Sequence, residues 1–152
     1  MNKPTVESTI EFIKRAHADQ VDKGGVAYWR HPVSVMSRLG PDATEDCKLV
    51  ALLHDVIEDT KYTAADLRSK GYSDRVIDAV LLLTKNKDLP YLDNIEHIAA
   101  SGNKIAIAVK IADNEDNLDP DRIAKIPGSL RVVNLHHAKY ENSLQILRRA
   151  LV

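Results

Sequence analysis

Residues 51–60 read ALLHDVIEDT, so a strongly apolar run leads directly into one histidine and three carboxylates. An α-helix turns by about 100° per residue, which would put these polar side chains on one arc of roughly 140°. They are His54, Asp55, Glu58 and Asp59. Such a cluster at the end of a buried helix is costly unless a cation compensates its charge, and a divalent metal ion is the simplest such cation. The stretch therefore predicts a metal site at the end of a core helix.

The sequence around this stretch predicts helices along nearly the whole chain, because apolar residues recur every three to four positions. The run from Ile105 to Ile111 alternates as a strand would, but no other segment offers a partner strand, so we predict a helix there too. Residues 119–128, with two prolines, are predicted as a loop. The predicted fold is a compact all-α bundle. Its helices are predicted at residues 6–17, 32–39, 44–59, 63–71, 91–100, 103–117 and 129–152, with one more beginning after Ser73.

Length and composition favour a single globular domain over residues 1–152. The formal net charge is −1, so no overall charge favours nucleic acid or an anionic membrane as a partner. Lys and Arg nevertheless total 21, which leaves room for a local basic pocket. We expect a small-molecule ligand, and the composition leaves open whether the chain forms a homo-oligomer.

Two features favour a cytoplasmic protein. Cys47 is the single cysteine, which excludes an intrachain disulfide and a cysteine-rich zinc site and suits a reducing compartment. We expect Cys47 to be a small core residue. The first ten residues are polar, unlike a signal peptide, and no run approaches the roughly 18 apolar residues of a membrane span.

Two further segments add candidate ligands. His31 stands directly before Pro32 at a predicted helix start, where the stiff backbone suits a metal ligand, although such a lone pair also fits a histidine that faces solvent. Residues 109–117 read VKIADNEDN, an apolar helix that ends in an acidic cluster, which alone is also typical of a solvated helix end. The segment does not fit a calcium loop, because Leu118 and Ala124 occupy positions that need glycine and an acidic ligand.

Together these segments resemble the HD superfamily of metal-dependent phosphohydrolases. The chain is most similar to the hydrolase domain of RelA/SpoT-type proteins and to single-domain small alarmone hydrolases, which remove the 3′-pyrophosphate of guanosine tetraphosphate and pentaphosphate (ppGpp and pppGpp) with a manganese ion. The resemblance implies an all-α fold of the HD-domain type and hydrolysis to GDP or GTP plus pyrophosphate. It runs through residues 16–20 (AHADQ), Lys23, Tyr28, residues 31–32 (HP), 54–60 (HDVIEDT), 83–85 (LTK) and 109–113 (VKIAD), and ends at Asn117.

The resemblance also implies which residues bind the metal and which act on water. The implied metal ligands are His31, His54, Asp55 and Asp113. Two imidazoles and two carboxylates are a ligand set that suits Mn²⁺ or a similar divalent cation. Glu58 would orient or deprotonate the attacking water, and Asp59 would assist it or relay the proton. An ordinary acidic helix end explains Glu58 and Asp59 less well, because acidic groups oppose the dipole at a helix C-terminus.

Substrate contacts are implied for Lys23, Tyr28 and Asn117. The alternatives are a solvated loop lysine, a core tyrosine and a helix-end cap. His17 is expected to support the site by packing or hydrogen bonding, whereas His136 is expected to lie at the surface or to pack between helices.

Two departures from the family pattern concern recognition of the nucleotide. The family commonly has arginine where this chain has Asp22 and Asn114. An acidic side chain at position 22 cannot stack on a base as a guanidinium does, and it would repel phosphate. One alternative is therefore an HD-domain phosphatase or pyrophosphohydrolase that acts on a different nucleotide. The other is a non-catalytic metal- or nucleotide-binding module, against which the presence of both Glu58 and Asp59 argues.

Overall fold

The computed structural model describes residues 3–128 and 130–151. Within these residues the chain is helical and has no strand, apart from one isolated antiparallel bridge between Val21 and Ala27, so the all-α prediction is confirmed. Ser129 and Val152, the two ends of the predicted last helix, lie outside the described residues. The helices are α1 Val6–Ala16, α2 Arg30–Arg38, α3 Glu45–Leu53, α4 Val56–Asp59, α5 Ala64–Ser69, α6 Asp74–Leu83, α7 Tyr91–Ala100, α8 Lys104–Asn117, α9 Pro120–Ile123 and α10 Leu130–Ala150.

Helices α3 and α8 form the centre of the bundle. They pack against each other, and α2 and α6 contact both of them. Helix α1 covers α3, while α7 and α10 pack together beside α8. The core between these helices consists of side chains with no more than 1% of their surface exposed, among them Ile13, Leu52, Leu53, Ile77, Ile107 and Leu147. Cys47 is buried with them, as expected.

The alternating apolar run of residues 105–111 lies within α8, as predicted. Helix α8 begins where the Asn103 side chain accepts a hydrogen bond from the N–H of Ala106 at 3.0 Å. Several neighbouring helices surround it, so apolar side chains are buried on more than one of its sides. Burial on several sides removes the clean helical periodicity that a surface helix would show.

The predicted continuous helix over residues 44–59 is wrong, because the chain breaks at His54 and Asp55. The Thr44 side chain caps the start of α3, but α3 ends at Leu53 and α4 begins at Val56. The His54 Nδ1 atom bonds to the Ala51 carbonyl oxygen at 2.6 Å. In an uninterrupted helix that carbonyl would accept the N–H of residue 55, so the side chain competes with the helix at this point.

The predicted loop over residues 119–128 contains a short helix, α9. Its start is set by Asp119, whose side chain accepts the N–H of Asp121 at 2.9 Å, and by Pro120 at its first position. The two prolines of this segment favoured a loop, although proline also suits a first helical turn, as Pro120 does here. Helix α9 matters for the site because it carries Arg122.

None of the described helices is both long and apolar enough to cross a membrane.

Candidate active site

Three of the four predicted metal ligands meet between the central helices. His31, His54 and Asp113 are buried, and each offers one ligand atom within 4.8 Å of those of the other two. His31 lies in the first turn of α2, His54 ends α3, and Asp113 lies on the last turns of α8. The packing of α2, α3 and α8 against one another therefore assembles the group.

His31 is held by carboxylates on both ring nitrogens. Its Nε2 lies 2.7 Å from Asp113 Oδ1, and its Nδ1 lies 2.6 Å from Asp116 Oδ2. Asp116 is held in turn by the Ser34 hydroxyl at 2.5 Å and by Arg38 Nε at 3.0 Å. A carboxylate behind a histidine is the usual support of a metal-binding imidazole. Sequence reasoning missed Asp116, although it lies in the acidic cluster that ends α8, three residues after Asp113.

His54 is oriented by the backbone. Its Nδ1 can only donate to the Ala51 carbonyl oxygen, so in the neutral ring the lone pair lies on Nε2. That Nε2 is buried and makes no hydrogen bond, although carboxylate oxygens of Asp55 and Asp113 lie 3.1 and 3.6 Å away. A buried nitrogen lone pair facing two carboxylates is a donor set that fits a divalent cation.

Asp55 lies beside this group, next to Tyr28. The break after Leu53 lets the Asp55 carboxylate approach His54, and the Tyr28 hydroxyl donates a hydrogen bond to the same carboxylate oxygen. Burial, with the negative charge of Asp55, raises the pKa of Tyr28, so Tyr28 stays a neutral donor. The structure therefore connects Tyr28 to a predicted ligand, and the same residue also lines the neighbouring cavity.

The charges of the ligand group favour an ionised site. Burial alone would raise the pKa of the Asp113 carboxyl, but Lys110 at 2.9 Å and the nearby histidines lower it well below its usual range. Burial alone would lower the pKa of both histidines, but their carboxylate partners outweigh it and raise the pKa of His31 and, more strongly, that of His54. Without a metal ion, protons on the imidazoles balance the carboxylates; a divalent cation can replace them.

This balance predicts that metal affinity rises with pH. A raised pKa means that His31 and His54 keep their protons to higher pH than an ordinary histidine, and only the neutral imidazole binds a metal. Manganese affinity should therefore increase from about pH 6 to about pH 8, with protons released on binding. Calorimetric titration in buffers of different ionisation enthalpy measures both quantities. A constant affinity without proton release would contradict the assignment of the two histidines.

Asp116 is predicted to act through His31. Asp116→Asn removes the charge behind the imidazole, and metal affinity should fall by about 10–100-fold. Asp119→Asn is the matched control, because Asp119 pairs with the same Arg38, at 2.5 Å, and is not a hydrogen-bond partner of His31. Equal manganese affinities for the two variants, measured by titration, would show that Asp116 has no such role.

The two predicted catalytic carboxylates lie in different places. Glu58 lines the cavity beside Asp55, and its Oε1 accepts the N–H of Lys85 at 2.7 Å. Asp59 lines a separate shallow depression, where its Oδ2 accepts Gln20 Nε2 at 3.2 Å. Gln20 bonds in turn to His17 Nδ1 at 2.8 Å, so His17 supports Asp59 through Gln20. Burial raises the pKa of both carboxyls, and the charge of Asp55 adds to the increase.

A cavity of about 340 Å³ opens beside the candidate metal ligands, and its wall includes all three predicted substrate contacts, Lys23, Tyr28 and Asn117. One part of its wall is apolar and aromatic, with Leu83, Ile95, Ile98, Tyr91 and Tyr140. Its cationic side chains come from separate segments of the chain and face the same space: Lys23, Lys85, Lys110, Arg122 and Lys139. The arrangement suits an anionic ligand with an apolar or aromatic part.

His136 packs between helices, as expected, and it also lines this cavity. Its Nε2 bonds to the Asn117 carbonyl oxygen at 2.8 Å, so α10 is tied to the end of α8. The single sequence contains no signal for this contact, because His136 lacks a partner at metal-ligand spacing and its bonding partner lies nineteen positions away.

Both departures from the family pattern have structural roles. Asp22 Oδ1 accepts the N–H groups of Gly24 and Val26 at 2.9 and 3.0 Å, and its Oδ2 lies 3.8 Å from Arg122. The carboxylate therefore shapes the loop before α2 and has a cation beside it.

Asn114 is fully buried and does not line the cavity. Its side chain accepts a hydrogen bond from the Tyr91 hydroxyl at 3.0 Å and donates one to Ser143 at 2.6 Å. Position 114 thus joins three helices, and its side chain does not reach the cavity.

The chain is similar to curated proteins, although no protein-family model matches it. It is 30% identical over 122 residues to a guanosine-3′,5′-bis(diphosphate) 3′-pyrophosphohydrolase of Aquifex aeolicus, covering 74% of this chain and 17% of that protein. A GTP pyrophosphokinase of Streptomyces coelicolor is 31% identical over 140 residues, covering 82% and 16%. A guanosine-3′,5′-bis(diphosphate) 3′-pyrophosphohydrolase of Danio rerio is 31% identical over 119 residues, covering 72% and 65%. The chain spans about a sixth of the length of the two bacterial relatives.

A solved structure supports the fold. It is described as a metazoan ortholog of SpoT that hydrolyzes ppGpp and plays a role in starvation responses. It matches with a TM-score of 0.80 at 23% identity, over 97% of this chain and 89% of the other.

The end of α3 presents the His54–Asp55 pair, α2 presents His31 and α8 presents Asp113, which is the set that the resemblance to HD-domain metal sites implied. The chain is homologous to guanosine-3′,5′-bis(diphosphate) 3′-pyrophosphohydrolases, which agrees with the resemblance of its sequence to HD-domain proteins.

Proposed function

We propose that this protein is a metal-dependent hydrolase that removes the 3′-pyrophosphate of guanosine 3′,5′-bis(diphosphate). The observation that carries the proposal is the buried group of His31, His54 and Asp113 at the edge of a cavity lined by cations. Anionic phosphates fit such a cavity, and an apolar wall beside it suits a nucleoside. Curated relatives of the chain are named for this activity.

The chain's own residues would perform defined steps. His31, His54, Asp55 and Asp113 would hold the divalent cation, which supplies Lewis acidity and lowers the pKa of water when bound. Glu58 would accept a proton from the attacking water at its carboxylate, since its raised pKa brings it closer to that of an effective base at neutral pH.

The proposed role of Asp59 is to assist Glu58 from outside the cavity. Its charge contributes to the raised pKa of Glu58, and Gln20 keeps its carboxylate in place. Lys23, Tyr28 and Asn117 are the proposed substrate contacts. Asn117 Nδ2 lies 3.3 Å from Asp113 Oδ1, so it is close enough to touch a group bound beside the ligands.

Hydrolysis is favoured over pyrophosphate transfer to GTP, although some relatives are named GTP pyrophosphokinases. The candidate metal group and Glu58 provide what activation of water needs. Manganese is the proposed metal, because two imidazoles and two carboxylates suit a borderline-hard divalent ion. In this proposal the chain acts as one domain in the cytoplasm on a small-molecule nucleotide, with neither nucleic acid nor membrane as a partner.

A second candidate is an HD-domain hydrolase of a different nucleotide, and Asp22 is the observation that favours it. This carboxylate stands where the family commonly has a base-stacking arginine, and its bonds to Gly24 and Val26 commit it to the loop. The guanidinium beside this position belongs to Arg122, from α9. Recognition of the base would then differ from that of the family.

The deciding experiment measures release of pyrophosphate and phosphate from guanosine tetraphosphate with manganese, with and without a chelator, beside a panel of other nucleotides. Chelator-sensitive pyrophosphate release from the guanosine compound is the expected result. Activity confined to other nucleotides would support the second candidate. No release from any nucleotide would overturn both and favour a non-catalytic binding module.

A further inference from the structure

One oxygen of Asp116 is shared by His31 and Arg122. Asp116 Oδ2 lies 2.6 Å from the His31 Nδ1 atom and accepts a second hydrogen bond from the Arg122 guanidinium at 3.4 Å. A carboxylate behind an imidazole makes the opposite ring nitrogen a stronger metal ligand. A guanidinium on the same oxygen draws part of that negative charge away from the ring. The position of Arg122 therefore affects how strongly His31 can bind a cation.

Arg122 also lines the cavity, together with the loop before α2. Asp22, Lys23 and Gly24 of that loop line the same cavity, and Asp22 Oδ2 lies 3.8 Å from the Arg122 guanidinium. The loop packs closely on the segment that follows α9, because a Cβ atom added at Gly24 would come within 2.6 Å of the Lys125 Cβ atom. Arg122 thus contacts both the space where a ligand binds and the carboxylate behind a candidate metal ligand.

Arg122 is held more loosely than Arg38, the other guanidinium at Asp116. Arg38 donates to Asp116 Oδ1 at 3.0 Å and to Asp119 Oδ2 at 2.5 Å, and it does not line the cavity. The two contacts of Arg122 are 3.4 and 3.8 Å long and use the same nitrogen. A phosphoryl oxygen in the cavity can accept from a guanidinium at about 2.7–2.9 Å, which is a stronger bond. A ligand can therefore draw Arg122, but not Arg38, away from Asp116.

We propose that Arg122 is a positioning residue that couples the binding of an anionic ligand in the cavity to the binding of the metal. Without a ligand, its guanidinium shares Asp116 Oδ2 with His31. A phosphoryl group in the cavity draws the guanidinium away and leaves that oxygen to His31, which then binds the cation more tightly. By linkage, the metal strengthens binding of the ligand by the same factor. The proposal rests on the proposed function.

Arg122→Met tests the coupling, because methionine keeps an unbranched apolar stem and lacks the guanidinium. Arg38→Met is the matched control, since it removes the other guanidinium from Asp116 and lies outside the cavity wall. The probe is guanosine 5′-monophosphate, whose single phosphate binds free manganese weakly. The Kd of manganese is measured from the electron paramagnetic resonance signal of the unbound ion, with and without a saturating concentration of the probe.

The nucleotide should lower the manganese Kd of the wild-type protein about fivefold. Arg38→Met should keep this ratio, whereas in Arg122→Met the ratio should fall below about twofold. The same ratio in Arg122→Met as in the wild-type protein would overturn the proposal, because the coupling would then come from a direct bond between the phosphate and the metal. Loss of the ratio in both variants would also overturn it, because the position of Asp116 would then be the cause.

The reverse measurement separates this proposal from the proposed function. Calorimetric titration of guanosine 5′-monophosphate into manganese-loaded and chelator-treated protein should give the same fivefold ratio for wild-type protein, and a ratio below about twofold for Arg122→Met. Neither measurement involves turnover. Coupling without pyrophosphate release from guanosine tetraphosphate would overturn the proposed function and leave the role of Arg122 in place. Pyrophosphate release without coupling would overturn the role of Arg122 alone.

Discussion

Glu58→Gln is expected to lower kcat by about 10²–10⁴-fold and to leave metal binding unchanged. Glutamine cannot accept a proton from water, but its side-chain oxygen can still accept the N–H of Lys85, as Glu58 Oε1 does at 2.7 Å. The loop between α6 and α7 should therefore keep its place. Steady-state kinetics of pyrophosphate release and the manganese content of the purified variant measure the two effects.

Asp59→Asn is the control that shows whether the loss of kcat is specific to Glu58. The asparagine side chain would retain a hydrogen-bond acceptor for Gln20, and the position lies in the depression outside the cavity, so the effect on kcat should be smaller. A Glu58→Gln variant with full activity would show that another group activates the water. Loss of manganese from that variant would instead assign Glu58 to the metal.

His54→Ala and Asp55→Ala are expected to abolish metal binding and activity together. Both residues are buried in the group, and removal of one partner leaves the opposing charges uncompensated. Wild-type protein treated with a chelator should show the same loss. Added manganese should restore the activity of the chelated wild-type protein but not that of the two variants. Metal analysis and kinetics on the three samples test the prediction.

Stability provides the control for these variants. His54 is buried, so removal of its ring leaves a cavity, and thermal unfolding should be measured beside activity. Tyr28→Phe, which removes the hydroxyl that donates to Asp55 but keeps the ring, should retain the metal. If His54→Ala binds manganese as tightly as the unchanged protein, the metal-site assignment is wrong.

Much of the fold follows from local pattern. Helix-start residues such as Thr63 and Ser73 cap α5 and α6 as their side chains predict, and α7 spans the predicted residues. These are short-range effects, because a side chain that caps a helix bonds to an N–H only two or three positions away. His54, Asp55 and His31 could be recognised as candidate ligands from local sequence alone. The first two are adjacent to each other, and His31 is adjacent to Pro32.

Tertiary packing decided the contacts between distant segments. The break after Leu53 coincides with a local bond from His54 to Ala51, whereas Asp116 supports His31 from 85 positions away. Lys139 and Tyr91 come together only because α10 packs on α7. Local sequence sets which helices form and where polar residues lie along them. The angles and depths at which helices pack depend on the whole core, so the residues that meet at the cavity are determined only when that core has assembled.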